Sequence, residues 1–297
     1  METIAQILSR ELEQPLEYVE NVIALIDEGN TIPFIARYRK ERHGSMDDTV
    51  LRTLADRLEY LRGLEKRREE VRAAIEAQGK LTEELSGALT AAATLAEVED
   101  LYRPYRPKRR TRATIARERG LEPLAALLFA QGRDCPAPMA EAAKYVDPDK
   151  GVNTAEEALQ GAGDIIAEDI SDDAGVRKAL RELLLRRGAL VSRAAGEEDT
   201  VYRLYYDFQQ PLSRLQDHQI LAIDRGEREG ALKVKVDCDR EEALVALRRR
   251  VVRPGSAAMD FIKAAAEDAY DRLLFPSLER EIRPLLTDRA AEGAIHN

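Results

Sequence analysis

The sequence predicts a mainly α protein, an elongated multi-helix scaffold with one minor β element. Charged residues make up 34% of its 297 residues and aromatic residues only 5%, a composition that suits exposed helices better than a β-sandwich. Apolar residues recur at spacings of three and four, and prolines, glycines and capping residues separate these periodic stretches. Only residues 231–237 alternate apolar and polar side chains as a strand does.

The first three predicted helices have the proportions of a helix-turn-helix motif. One helix covers residues 3–12, and a second runs from Pro15 to Gly29, which are typical start and stop residues. A short turn leads to a third helix that begins at Pro33, so the motif occupies residues 15–42. The basic side chains expected on this third helix, where they could enter a groove, are Arg37, Arg39 and Lys40. Two helices joined by a short turn also occur in any bundle, and basic residues on a helix usually face solvent.

A long helix is predicted over residues 47–78. Asp47 and Asp48 complement the helix dipole in the first turn, and Gly79 ends the helix. Its apolar stripe consists of Leu51, Leu54, Leu58, Leu61 and Leu64. The spacing of these leucines predicts one buried face along most of the helix.

Further helices are expected over residues 153–170, 171–188 and 218–229, and from Asp239 onward. Thr154 and Ser171 are the predicted N-caps of the first two. The strand at 231–237 sets Leu232, Val234 and Val236 against Lys233 and Lys235. A strand needs a partner, and the sequence does not identify it.

Bulk composition and the scarcity of reactive motifs argue against an enzyme. The net charge of −9 disfavours wholesale coating of nucleic acid or membrane, and two distant cysteines suit a reducing cytoplasm. No signal peptide, catalytic motif or cofactor motif is recognisable. The three histidines lie in no zinc spacing, so we predict no metal site and assign them surface or capping roles; they are His43, His218 and His296. Pairs of neighbouring carboxylates could hold the metal ion of a nuclease. We interpret the acidic pairs of this sequence as solvent-exposed faces of helices instead.

One stretch, LYRPYRPKRRTRATIARERG, differs from the rest of the chain. These residues, 101–120, are called the basic segment below; they hold eight basic residues and one acidic residue, a local charge of +7. The remainder of the chain therefore sums to −16. Its Tyr/Arg/Pro pattern has a period of three, which matches a polyproline II rod with one row of tyrosines and one of arginines.

Such a rod suits nucleic acid, because guanidinium groups bind phosphates and tyrosine rings stack on bases. The candidate residues are Tyr102, Arg103, Tyr105, Arg106, Lys108, Arg109, Arg110 and Arg112. A turn of helix ending at Gly120 adds Arg117 and Arg119. The alternative is an intramolecular brace in which these arginines pair with carboxylates of neighbouring helices. The sequence alone leaves both interpretations open.

Three strings together resemble the Tex family of bacterial transcription accessory proteins. They are ALIDEGNTIPFIARYRKE (24–41), VEDLYRPYRPKRRTRATIARERGLEPLA (98–125) and ILAIDRGEREGALKVKV (220–236), in the order expected for that family. The resemblance implies a helical N-terminal domain over 1–195 and the start of a central helical region over 196–297. It also implies RNase H-like, helix-hairpin-helix and OB-fold RNA-binding domains in a longer protein, of which this chain is expected to be a fragment.

The resemblance implies a cytoplasmic role with RNA or DNA in transcription, and RNA polymerase or other transcription factors as further partners. The leading hypothesis is a non-catalytic scaffold that contributes to nucleic-acid binding through the basic segment. The family's RNA binding is attributed mainly to the OB-fold, so part of this role depends on domains outside the chain. The alternative function is a protein–protein docking module, for RNA polymerase or for the C-terminal domains outside this chain, with the basic segment as an intramolecular brace.

Overall fold

The computed structural model describes residues 1–107 and 109–296. It is mainly α-helical with one three-stranded antiparallel sheet, which confirms the predicted fold class. The chain divides into two compact units. Unit 1 comprises Met1–Leu101, Gln216–Arg225 and Pro284–Asn297, and unit 2 comprises Tyr102–Leu215 and Gly226–Arg283.

The N-terminal third of the chain forms short helices and one long helix. They are α1 (Ile4–Leu12), α2 (Leu16–Asp27), α3 (Ile32–Tyr38), α4 (Lys40–His43), α5 (Asp48–Ala77), α6 (Glu83–Ala91) and α7 (Leu95–Tyr102). Local capping explains several starts. The Thr3 hydroxyl accepts a hydrogen bond from the Gln6 backbone at 3.2 Å, and the Gln6 side chain accepts one from the Thr3 backbone at 2.8 Å.

Helix α5 confirms the predicted long helix. Its 30 residues span about 45 Å, and the Asp47 carboxylate caps it by accepting a hydrogen bond from the Val50 backbone at 2.8 Å. The predicted leucine stripe is buried along its length. Asp48 and Arg52, four residues apart, form an ion pair at 3.0 Å on the exposed face.

The third predicted helix is shorter than the sequence indicated. Helix α3 ends at Tyr38, and Arg39 has φ −128° and ψ 36°, which breaks the helical path before α4 begins at Lys40. Arg37, Arg39 and Lys40 therefore do not share one continuous helix. The prediction of a single recognition helix carrying all three is wrong.

The remaining helices of the chain are α8 (Arg112–Glu118), α9 (Glu122–Ala130), α10 (Pro138–Ala142), α11 (Ala155–Asp172), α12 (Ala174–Arg187), α13 (Asp217–Arg228), α14 (Arg240–Val251), α15 (Met259–Asp268) and α16 (Phe275–His296).

Unit 2 is built around α11. Helix α11 contacts α8, α9, α10 and α15, and it buries Ile165, Ile166 and Ile170 in the apolar core. Thr154 caps α11 as predicted, but α12 is capped by Asp173 and Ser171 lies inside α11.

The sheet has two strands that the sequence did not predict. Strand β1 (Ala189–Ala194) lies between β2 (Asp207–Pro211) and β3 (Leu232–Asp237), and both pairings are antiparallel. Leu190 is opposite Gln210 on one side and Val236 on the other. The predicted strand at 231–237 is thus confirmed as β3, and β1 is its partner.

The domain boundary predicted at residue 195 immediately follows β1, and it remains a prediction. Among the helices of residues 1–107 and 109–296, none is both long enough and apolar enough to cross a membrane.

The packing of α11 predicts opposite effects for two glycine substitutions. In Gly161→Ala, the new Cβ would overlap Cδ1 of the buried Leu121 and lie 3.3 Å from Cβ of Ala116. We expect this overpacking to lower the free energy of unfolding by about 1–3 kcal/mol. In Gly163→Ala the nearest atoms, on Phe261, are 3.6 Å away, so we expect a gain of about 0.5–1 kcal/mol from helix propensity. Urea denaturation monitored by circular dichroism measures both; equal effects would contradict the described packing.

Candidate nucleic-acid interface

The basic segment begins as a tight helical turn, not as an extended rod. Tyr102 is the last residue of α7, and Arg103–Tyr105 form a 3₁₀ turn closed by a hydrogen bond from the Arg106 backbone to the Arg103 carbonyl at 3.3 Å. Pro104 suits this turn because its fixed φ is close to the helical value. Arg106, with φ −62° and ψ 135°, follows the turn with polyproline geometry. The predicted rod with aligned rows of tyrosines and arginines is therefore wrong over residues 102–105.

Arg103 is anchored inside unit 2. Its guanidinium donates to the Ser277 hydroxyl at 2.9 Å and lies 3.6 Å from Asp172 and 3.9 Å from Glu281. Ser277 and Glu281 also bind the fully buried Arg177, at 2.8 and 2.9 Å. Only 19% of the Arg103 side chain is exposed. These contacts make Arg103 a brace, which is the alternative interpretation of the sequence.

Arg117 forms a second anchor near the other end of the basic segment. It donates to Glu168 at 2.9 Å and to Asp169 at 3.1 Å, and it lies 3.6 Å from Glu122. The Thr111 hydroxyl also donates to Glu168, at 2.9 Å. Because Thr111 is the N-cap of α8, this carboxylate holds both ends of the helix against α11.

The arginines between and beside these anchors are exposed. They are Arg106, Arg109, Arg110, Arg112 and Arg119. Arg110 and Glu118 approach to 3.4 Å, but both side chains are more than half exposed, and such surface pairs contribute little. Within the described residues Arg109 makes no ion pair. The candidate Lys108 lies outside the described residues.

The two candidate tyrosines are less accessible than a stacking role requires. Tyr102 is buried, and the Arg106 guanidinium lies 5.8 Å from its ring centroid. Tyr105 is half-buried. The exposed part of the basic segment is therefore cationic rather than aromatic.

A groove between α8 and α11 adjoins the basic segment. It encloses about 290 Å³, and Arg112 and Arg119 line its α8 side, two helical turns apart. Glu157, Gln160 and Asp164 line the α11 side. Burial raises the pKa of Asp164, despite a hydrogen bond from Gln160 at 3.2 Å that lowers it. The groove thus has one cationic wall and one wall of hydrogen-bond acceptors.

The second group of candidates, around α3, is also exposed. Arg37, Arg39 and Lys40 all face solvent, and Arg39 makes one loose contact with Glu41 at 3.9 Å. Phe34 and Tyr38 lie on the same side of α3 as Ile35 by helical periodicity, yet they are 36% and 58% exposed. A spacing of four residues makes two helical side chains neighbours, but it does not show which side of the helix is buried.

Among the described residues, no group of three or more His, Cys, Asp or Glu side chains is placed to hold a metal ion. His43 is buried, which corrects the surface or capping role expected for it, and His218 is exposed. The contacts of Arg103 with Ser277 and of Arg117 with Glu168 were not identified from the sequence, because these partners lie 174 and 51 residues away along the chain.

Family comparisons agree with this architecture. The Tex-like protein N-terminal domain matches residues 2–76, and the Tex central region matches residues 134–297. The chain belongs to the Tex family.

Similar proteins occur in distant organisms. The chain is 45% identical to Protein tex of Bordetella pertussis over 236 residues, which is 78% of this chain and 30% of that protein. It is 36% identical to the transcriptional accessory protein Tex of Neisseria gonorrhoeae over 306 residues, 98% of this chain and 39% of that protein. It is 31% identical to the human S1 RNA-binding domain-containing protein 1 over 310 residues, 98% of this chain and 31% of that protein. The chain thus spans less than half the length of each relative.

The anchor of Arg103 predicts a stability effect in this Tex-family chain. Glu281→Gln removes the carboxylate that faces Arg103, Arg177 and Arg181, the last at 3.5 Å. We expect the free energy of unfolding to fall by about 3 kcal/mol, because a carboxylate is removed from a cluster that holds a fully buried arginine. Glu182→Gln on the exposed face of α12 is the control, with an expected change within about 0.5 kcal/mol. Urea denaturation gives both values, and similar losses for the two variants would show that the cluster is not an anchor.

Proposed function

We propose that this chain is a non-catalytic helical scaffold of a transcription accessory protein that contributes to RNA and DNA binding through its basic segment. One observation carries the proposal. Arg103 and Arg117 are held by carboxylates, whereas Arg109, Arg110 and Arg112 between them are exposed. The anchors use part of the positive charge for the fold and leave Arg109, Arg110 and Arg112 directed to solvent.

The exposed cations suit a polyphosphate better than an isolated carboxylate. Guanidinium groups form paired hydrogen bonds with phosphate oxygens, and several neighbouring arginines match the repeated charge of a nucleic-acid backbone. The chain as a whole carries −9, so attraction to nucleic acid depends on such a local concentration of charge. The proposed contact residues in the described part of the segment are Arg106, Arg109, Arg110 and Arg112.

The names of the relatives support the proposed role in transcription and nucleic-acid binding. One is named a transcriptional accessory protein, and another an S1 RNA-binding domain-containing protein. Because this chain spans only part of each, RNA, DNA and RNA polymerase are proposed partners of this chain. We propose RNA and DNA as the direct ligands and the polymerase as a partner of the complete assembly.

The second candidate function is docking to another protein of the transcription machinery. The observation that favours it is the brace itself, since Arg103 and Arg117 stabilise the fold through carboxylates and are not available to a ligand. In that case the exposed arginines bind an acidic protein surface. The two functions differ in their response to nucleic acid, which the next experiment measures.

The proposal predicts a change in the salt dependence of binding. Wild-type chain is titrated with single-stranded RNA and duplex DNA at several salt concentrations, and compared with Arg109→Glu plus Arg110→Glu. We expect log K to fall linearly with log salt, with a slope of about −0.7 to −0.9 per phosphate contact. The double variant loses two contacts, so its slope should be shallower by about 1.4 to 1.8.

The control is Arg225→Glu plus Arg228→Glu, which makes the same change in net charge at two exposed positions on α13. We expect this control to keep nearly the wild-type slope. If both double variants lose affinity equally, only net charge matters and the basic segment is not the interface. If wild-type chain binds neither RNA nor DNA, the docking function replaces the proposal.

A further inference from the structure

Helix α3 presents two aromatic rings to solvent. Phe34 and Tyr38 are one helical turn apart, their ring centroids are 5.2 Å apart, and the planes are tilted by 46°. Tyr38 is 58% exposed and Phe34 36%, whereas Ile35 between them is fully buried. Ile35 thus attaches the helix to the core of unit 1, and the rings lie outside it. In a chain with only 5% aromatic residues, an exposed adjacent pair is a distinctive surface.

Positive charge accompanies both rings. The Arg37 guanidinium lies 5.6 Å from the Tyr38 ring centroid, and the Arg39 guanidinium lies 5.7 Å from that of Phe34. Both distances are in the range of cation–π contacts. Lys40 follows directly and is exposed. Aromatic faces bordered by cations are the combination with which proteins bind single-stranded nucleic acid, because bases stack on the rings and phosphates meet the charges.

The short backbone of α3 disfavours recognition of bases in the groove of a duplex. Helix α3 has seven residues, about 10 Å, and it ends before Arg39. A recognition helix needs several side chains on one continuous face to reach base edges. Here the basic residues are divided between α3, the break at Arg39 and α4. Unpaired bases avoid this requirement, since they can rotate to stack on a ring wherever it is exposed.

We propose that Phe34 and Tyr38 form a stacking surface for the bases of a single-stranded nucleic acid, and that Arg37, Arg39 and Lys40 neutralise its phosphates. The inference rests on the proposed function, because it names the form of nucleic acid that the chain binds. It adds a site distinct in sequence from the basic segment. The two sites differ in chemistry: the basic segment contributes charge, and the α3 surface contributes ring faces as well as charge.

The test separates stacking from charge. The probes are a short oligoadenylate and an abasic oligomer of equal length, which has the same phosphates but no bases. We expect wild-type chain to prefer oligoadenylate. Phe34→Leu plus Tyr38→Leu keeps an apolar pair on α3 but removes both ring faces. We expect about tenfold weaker binding of oligoadenylate, unchanged binding of the abasic oligomer, and an unchanged salt slope.

Two controls keep the result specific. Tyr38→Phe retains the ring and should retain the preference for oligoadenylate. Val201→Ala plus Leu204→Ala truncates two other highly exposed apolar residues and should have no effect. Circular dichroism confirms that each variant is folded before binding is measured.

The outcomes distinguish this inference from the proposed function. If the leucine variant still prefers oligoadenylate as strongly as wild type, or if wild type shows no preference, the stacking surface is refuted. In that case a shallower salt slope for Arg109→Glu plus Arg110→Glu still supports the basic segment. A third outcome is that the leucine variant loses the preference for oligoadenylate while Arg109→Glu plus Arg110→Glu keeps the wild-type salt slope. That result would support the stacking surface and refute the basic segment as an interface.

Discussion

The ion-pair cluster around Glu281 is the interaction on which the position of the basic segment depends. This carboxylate faces Arg103, Arg177 and Arg181, and the Ser277 hydroxyl accepts hydrogen bonds from the first two. A fully buried arginine is costly to desolvate, so the cluster holds only if the carboxylate and hydroxyl remain in place. It fixes the first arginine of the segment within unit 2.

The two anchors divide the arginines of the basic segment into a carboxylate-paired group and a solvent-exposed group. Arg103 and Arg117 pair with acidic residues of unit 2, whereas the arginines between them face solvent. The brace and the proposed binding surface are therefore compatible. The exposed cations of α3 differ, because they adjoin solvent-facing rings and not a carboxylate cluster. Two chemically different cationic surfaces agree with the membership of the chain in a family of transcription accessory proteins.

Features encoded by neighbouring residues were predictable. The cap at Asp47, the leucine stripe of α5 and the cap at Thr154 each depend on side chains within a few turns of one another. Strand β1 was missed because Leu190, Val191 and Ser192 are buried in succession, which hides the alternation of a half-buried strand. The polyproline rod was wrong because Pro104 is equally compatible with a 3₁₀ turn, and α7 continues as far as Tyr102.

The sequence by itself determined the helical class, the N-cap at Thr154, the local charge of +7 and the family, because contiguous residues carry these properties. Only the tertiary structure decided which arginines are buried and which rings are exposed. Ser277, which binds Arg103, is 174 residues away along the chain, and no local pattern records that contact. Likewise, Ile35 and not Phe34 or Tyr38 meets the core. Pairing and burial depend on which distant surfaces fold against each other, so they follow from packing and not from periodicity.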